Sequence, residues 1–216
     1  MRLALLFVMC VGLIQAQTAD DSVAAFYTYS HQEEPTRSYV GSQRLTGSGF
    51  GQSGWILAKV ELTEEGVFSY QILSEGGSSQ IREKALKPFL EAERHQRKPE
   101  ESAFSGNNYD ITLKGADGDG LTVLRLQPRR KATNLVDGFL FVRQNGDLVR
   151  VEGAPAKKPS MWIFGEKLYR YYDHLAGVRV PVKMVTTATF LFKPSSLVVE
   201  YSYSEINRQK VNQTSH

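Results

Sequence analysis

Residues 138–207, GFLFVRQNGDLVRVEGAPAKKPSMWIFGEKLYRYYDHLAGVRVPVKMVTTATFLFKPSSLVVEYSYSEIN, read as a run of antiparallel strands. Apolar and polar residues alternate through most of the stretch. In GVRVPVKM, Val178, Val180, Val182 and Met184 fall on one side, and Arg179, Pro181 and Lys183 on the other. In SLVVEYSYSE, Leu197, Val199, Tyr201 and Tyr203 share a side, opposite Glu200, Ser202 and Ser204. Successive strand side chains point to opposite faces, so the pattern predicts a sheet with one apolar and one hydrated face. What covers the apolar face, the chain's own helices or a bound cargo, decides the function.

Upstream, the same periodicity recurs with two helical interruptions. Asp20 or Asp21 can cap a short helix through Val23 to Phe26, which Pro35 ends. RSYVGSQRLTGSGF reads as a strand running into a Gly/Ser loop. WILAKVELTEEGVFSYQILSE reads as a hairpin turning at Glu64-Glu65-Gly66, with Phe68, Tyr70 and Ile72 on one face. In SSQIREKALKPFLEAERHQRK the period changes: Ile81, Ala85, Phe89 and Ala92 are helically spaced, with Leu86 and Leu90 beside them. Ser78 or Ser79 suits the N-cap, Pro88 predicts a kink near Lys87, and Pro99 marks the end. Tyr109–Lys114 and Leu121–Gln127 form a further hairpin around the glycine- and aspartate-rich 115–120. The predicted fold class is α+β, an antiparallel sheet with a few helices gathered on one face.

The first sixteen residues stand apart from this pattern. Arg2 is a short positive region, Leu3 to Ile14 an apolar run too short to span a bilayer comfortably, and Ala16 a small residue before a cut. Residues 1–16 are therefore read as a signal peptide and 17–216 as a single domain of an exported protein. Cys10 is the single cysteine, so the domain after cleavage has no disulfide, no thiolate nucleophile and no cysteine metal site. A formal net charge of +3 is too small to imply nucleic acid.

No motif points to chemistry. Gly49-Phe50-Gly51-Gln52-Ser53-Gly54 matches G-x-G-x-x-G, but a strand follows where a dinucleotide site needs a helix. Asp117-Gly118-Asp119-Gly120 lacks the glutamate that would complete a calcium loop, Pro128 standing at the twelfth position. His31, His95, His174 and His216 are not spaced as metal ligands, and His174 beside Asp173 reads as a surface imidazole at a turn. Neither cofactor nor catalytic residue is expected. The aromatic set Trp162, Phe164, Tyr169, Tyr171, Phe190 and Phe192 suits a packed core, a ligand face, or both.

Read in order, Leu126-x-Pro128-Arg129-Arg130-Lys131, Gly138-Phe139-Leu140-Phe141-Val142, Val149-Arg150-Val151-Glu152-Gly153, Ser160-Met161-Trp162-Ile163, Tyr172, Gly177-Val178-Arg179-Val180-Pro181 and Tyr201-Ser202-Tyr203-Ser204-Glu205-Ile206-Asn207 carry a resemblance. The series resembles the LolA-like superfamily of periplasmic outer-membrane lipoprotein carriers and sorting proteins, whose relatives include the LolB receptor and the RseB stress sensor. The resemblance implies a strongly curved antiparallel sheet, a half-open barrel wrapped around a few helices. It also implies binding of lipoproteins or other acyl-chain cargo in the periplasm, with no enzymatic activity. An envelope donor or receptor protein and transient contact with a membrane surface are the implied partners; the alternatives are an RseB-like sensor on the same fold and, behind it, an enzyme whose site is not visible in sequence. The apolar cavity is then expected to be lined by Phe68, Tyr70, Ile72, Ile81, Leu86, Phe89, Leu90, Trp162, Phe164, Met184, Phe190 and Tyr201. The carriers also have an Arg-Pro strand whose arginine latches a helical lid; here the candidate Arg44 has no following proline.

Overall fold

The computed structural model describes residues 19–95, 101–157, 163–190 and 193–211; the side chains of residues 19, 163, 164 and 190 are outside the description, as is the whole of Trp162. Elements follow in the order α1 (Ala19–Gln32), β1 (Tyr39–Gly49), β2 (Gln52–Leu62), β3 (Phe68–Gly77), α2 (Ser79–Ile81), a π-helical turn (Arg82–Leu86), α3 (Lys87–His95), β4 (Tyr109–Ala116), β5 (Thr122–Pro128), β6 (Val136–Val142), β7 (Leu148–Pro155), β8 (Ile163–Leu175), β9 (Val178–Phe190), β10 (Lys193–Ile206) and β11 (Gln209–Lys210). The fold is α+β. One antiparallel sheet runs β3-β2-β1-β10-β9-β8-β7-β6-β5-β4, with β11 on β10. It consists of two meanders, β1–β3 and β4–β10, joined where the first strand pairs with the tenth.

Inter-strand register builds the apolar face. Leu113, Leu124, Leu140, Val151, Arg170, Met184, Val199, Leu45 and Ile56 are each directly opposite the next, from β4 across to β2. Directly paired residues share a face, so this is one continuous row, apolar except at Arg170. Phe26 of α1 covers its β4–β7 end together with Tyr109, Leu124, Leu126, Leu140 and Val151. Leu86 and Leu90 cover its other end together with Leu45, Ile56, Val60, Met184 and Val199. Both helical segments therefore lie on the same side of the sheet.

Several local expectations are adjusted: Asp20 and Asp21 lie within the first turn of α1, and Gly47–Gly49, read as the start of a loop, continue β1 as strand. The break in the central helix is a π-helical turn at Arg82–Leu86, immediately before Pro88. Pro88 supplies no N–H to the continuous helical run, and the π-helical turn just before it is where the backbone departs from regular α geometry. Ser78 caps the segment as expected, its hydroxyl accepting from Ile81 N. On β9, register passes from Lys183 opposite Tyr171 to Pro181 opposite Tyr172, which leaves Val182 at a bulge. Val178, Val180 and Met184 are buried, whereas Val182 is half-exposed. The 64–66 turn forms as read, with Gly66 at φ +77°.

β6 and β7 approach so closely at Gly138 and Gly153 that a Cβ on Gly138 would stand 1.9 Å from Glu152 O and 2.5 Å from Gly153 Cα. Backbone atoms on both sides leave nothing to rotate away. Gly138→Ala is expected to cost about 1–3 kcal/mol, read as a lower urea midpoint at unchanged m; a wild-type midpoint would show that the two strands can separate freely.

Candidate functional site

Two recesses open between the helical segments and the apolar face. The first is a groove of about 560 Å³ beneath the 80–86 segment, bounded by Gly47 and Gly49 of β1, Ile81, Leu86, Ala188 of β9 and Leu197 of β10. Missing side chains make it. A Cβ on Gly47 would touch Ile81 Cγ2 and Leu86 Cδ2 at 2.9 Å, whereas one on Gly49 would lie 3.4 Å from Ser195 Cβ and 3.9 Å from Ile81 Cδ1. Gly47 thus sets how near the helical turn approaches the sheet, and Gly49 leaves room beside it. Phe50, half exposed on the β1–β2 turn, stands at the mouth.

The second recess, about 810 Å³, lies between the end of α3, the segment 101–104 and the strands β4, β6, β7 and β8. Tyr109, Leu135, Val151 and Leu168 give it apolar walls, His95, Ser102 and Asn134 polar ones, and Arg170 and Tyr172 project from β8. His95 is anchored by its Nδ1, 2.6 Å from the Glu91 carbonyl one turn earlier.

A polar seam separates the two apolar clusters. Gln43, almost wholly buried, donates through Nε2 to Glu93 Oε2 at 2.9 Å. The Glu93 carboxyl is pushed above the usual carboxylate range, mainly by burial; the Gln43 hydrogen bond and the field of Arg170 act the other way. Burial likewise raises the Tyr39, Tyr201 and Tyr203 hydroxyls, so they stay neutral.

A third cluster joins α1 to the β8–β9 hairpin. His174 Nε2 lies 2.9 Å from Glu33 Oε1 and 3.6 Å from Asp147 Oδ1, with the Tyr29 hydroxyl at 3.4 Å. His174 is therefore not the surface imidazole that its neighbour Asp173 suggests: the α1 end folds over it. Three ligand atoms are grouped as a metal would need, but Arg179 Nη2 already pairs with Glu33 Oε2 at 2.6 Å and Arg143 with Asp147 Oδ2. Both carboxylates are neutralised by the chain's own cations, so the cluster is an ionic clamp.

Of the residues read from the sequence as cavity lining, Phe68, Leu86, Leu90 and Met184 are buried in the β1–β3/β9–β10 cluster, with Tyr70, Ile72, Ile81, Phe89 and Tyr201 packed against it. Ile81 and Leu86 border the groove. Tyr70 also donates to Glu91 Oε1 at 2.5 Å, tying β3 to α3. Trp162 and the side chains of Phe164 and Phe190 lie outside the described residues. Arg44 alternates with buried Gln43 and Leu45, so it faces away from the helices, 5.0 Å over the Trp55 ring. The guanidinium on the helix side is Arg170, which periodicity hides because a charged residue reads as solvent-facing. Its strand gives one usable signal: Leu168-x-Arg170-x-Tyr172 keeps Arg170 in phase with apolar neighbours. The aspartate loop is a hairpin tip, where Asp117 Oδ1 accepts from the backbone N–H groups of Asp119 and Leu121.

The chain matches no family model and no curated protein. Among solved structures it is similar to a LolA superfamily protein from Nitrosomonas europaea, at TM-score 0.45 and 12% identity over 84% of this chain and 91% of that one. It is similar to a domain assigned to outer membrane lipoprotein sorting from Vibrio parahaemolyticus, at TM-score 0.45 and 10% identity over 92% and 95% of the two chains. A DUF1329 family protein from Desulfovibrio piger gives TM-score 0.44 and 12% identity over 84% and 91%. Among the described residues, no helix is long and apolar enough to cross a membrane.

Because the folded Glu93 pKa is raised, the native state binds more protons than the unfolded chain at intermediate pH. The stability held below the ordinary glutamate range, about 4.3, is therefore lost as pH rises through the raised folded value. Glu93→Gln removes this dependence. Urea unfolding is expected to favour the variant progressively, relative to wild type, as pH rises above the ordinary glutamate value of about 4.3; a constant difference would show that Glu93 ionises as it does in the unfolded chain.

Proposed function

We propose that this protein is an exported carrier of acyl-chain cargo, of the outer-membrane lipoprotein-sorting type, acting in the periplasm without catalysing a reaction. The observation that carries this reading is the groove beneath the 80–86 segment. Its walls are mostly carbon, it is formed by glycines at the sheet and aliphatic side chains at the helical turn, and it opens beside an exposed phenylalanine. An acyl chain offers little besides apolar area. Each methylene buried contributes roughly 0.8 kcal/mol, so about ten methylenes supply the roughly 8 kcal/mol of a micromolar complex before ordering costs. The sequence resemblance to lipoprotein carriers supports the same reading. So does the signal-peptide pattern of residues 1–16, because a carrier of this type works outside the cytoplasm.

In this reading the sheet curves around the helical segments as a half-open barrel, and the 80–86 segment acts as a cover over the chain. The π-helical turn is the element suited to yield, since it already departs from regular α geometry. Phe50 at the mouth offers an apolar contact to a membrane surface or to an envelope donor or receptor protein.

The test is uptake of the neutral fluorescent probe N-phenyl-1-naphthylamine by residues 17–216, with mass spectrometry of lipid retained on purification. Wild-type protein is expected to take up the probe. Gly49→Leu should weaken uptake by about tenfold or more with its melting temperature held, because the new side chain fills the groove at a position without positive φ. Wild-type protein that retains no lipid and takes up no probe would overturn the carrier reading.

A further inference from the structure

Arg170 occupies the one non-apolar position in the row that crosses the sheet, between Val151 and Met184. A guanidinium carries five N–H donors and stays charged at any physiological pH. Few of those donors are used. Nη2 points at the Met184 sulfur at 3.5 Å, a weak acceptor. The Tyr172 hydroxyl lies close enough to contribute to its field. Nε is buried and has no partner. Among the described residues, no carboxylate forms an ion pair with it. Glu93 contributes field from α3, but its carboxylate is held by Gln43. A half-buried cation without a contacting anion carries a desolvation cost, which an arriving anion would offset.

The surroundings say what kind of anion. Arg170 and Tyr172 line the recess of about 810 Å³, whose size is that of a small-molecule site. Its walls combine the apolar Tyr109, Leu135, Val151 and Leu168 with the polar His95 and Asn134, and the acidic Glu101 lies on the 101–104 side. A simple inorganic anion would leave the apolar wall uncovered, and a neutral acyl chain would leave the guanidinium unpaired. An amphiphile satisfies both. None of the residues lining this recess lines the groove proposed for acyl chains, so the two are separate sites.

We propose that this second recess binds an amphiphile with an oxyanion head group, a carboxylate or a phosphate monoester. The head pairs with the Arg170 guanidinium beside the Tyr172 hydroxyl, and the apolar body lies against Tyr109, Val151 and Leu168. Planar, forked donors match two oxygens of one head group, which is the arrangement in which arginine binds oxyanions most strongly.

The experiment is calorimetric titration of residues 17–216 with decanoate, decyl phosphate and decanol, each below its micelle concentration. Wild type is expected to bind at least one of the two anions about tenfold or more tighter than decanol, the margin of a charge-assisted hydrogen bond. Which anion holds the margin distinguishes a carboxylate head from a phosphate-monoester head. Arg170→Met should abolish the margin and leave decanol binding unchanged. Its melting temperature should equal or exceed that of wild type, because an unpaired charge leaves the apolar row. Arg170→Gln, which keeps donors without the charge, is the second variant and should lose the same margin. Gly49→Leu should leave the margin intact, because it fills only the groove. Equal affinity of wild type for decanol and both anions, a margin that survives Arg170→Met or Arg170→Gln, or a margin lost in Gly49→Leu would overturn the proposal. The carrier reading stands or falls separately, on neutral probe uptake.

Discussion

Everything in this molecule hangs on one row of directly opposed side chains, from Leu113 on β4 to Ile56 on β2. Side chains alternate with a period of two, so a slip of one residue in any pairing would turn a strand's apolar set to water. Bulges at Val40/Gly41 and Tyr171/Tyr172 absorb local mismatches without breaking the row. Given that row, the helices have only one face to cover. Phe26 takes one end and Leu86 with Leu90 the other. The recesses lie on the same face, beside or between these two anchors, where the cover is incomplete.

The row is continuous only because β1 and β10 meet. β1 and β10 pair over their length, which joins two meanders otherwise far apart in sequence. Asn207 secures the corner. Its Oδ1 accepts from the backbone N–H groups of Arg37 and Ser38, its Nδ2 donates to Pro35 O, and its own N–H donates to Ser38 O. The residue sits at φ +47°, a conformation that asparagine tolerates better than most. The ionic clamp of Glu33, His174, Asp147, Arg143 and Arg179 does a similar task at the end of α1. Both devices join segments well over a hundred residues apart, so the cover and the sheet are held as one unit.

Polar groups on the apolar face are few and concentrated. Gln43, Glu93, Arg170, Tyr172 and Tyr201 form a seam between the two clusters. A core built for stability alone would carry aliphatic residues there. The seam has a cost, visible in the raised Glu93 pKa and in the partnerless Arg170 Nε. A site for an amphiphilic ligand explains why such a cost is borne at this place in the sheet.

Periodicity in the sequence by itself determined the strand-rich C-terminal run, the hairpins at 64–66 and 115–120, the capped helical segment after Ser78 and the α+β class. These follow from local rules: alternation, turn residues and capping side chains act within a few residues of one another. Only the tertiary structure decided which strands are neighbours, that both helical segments share one face, and that Gly47 and Gly49 lie beneath Ile81 and Leu86. It also turned Arg44 outward and Arg170 inward, and it brought His174 against the α1 end, half-buried. Those facts depend on pairing between distant segments, and a residue's own neighbours in sequence carry no record of what will be packed against it.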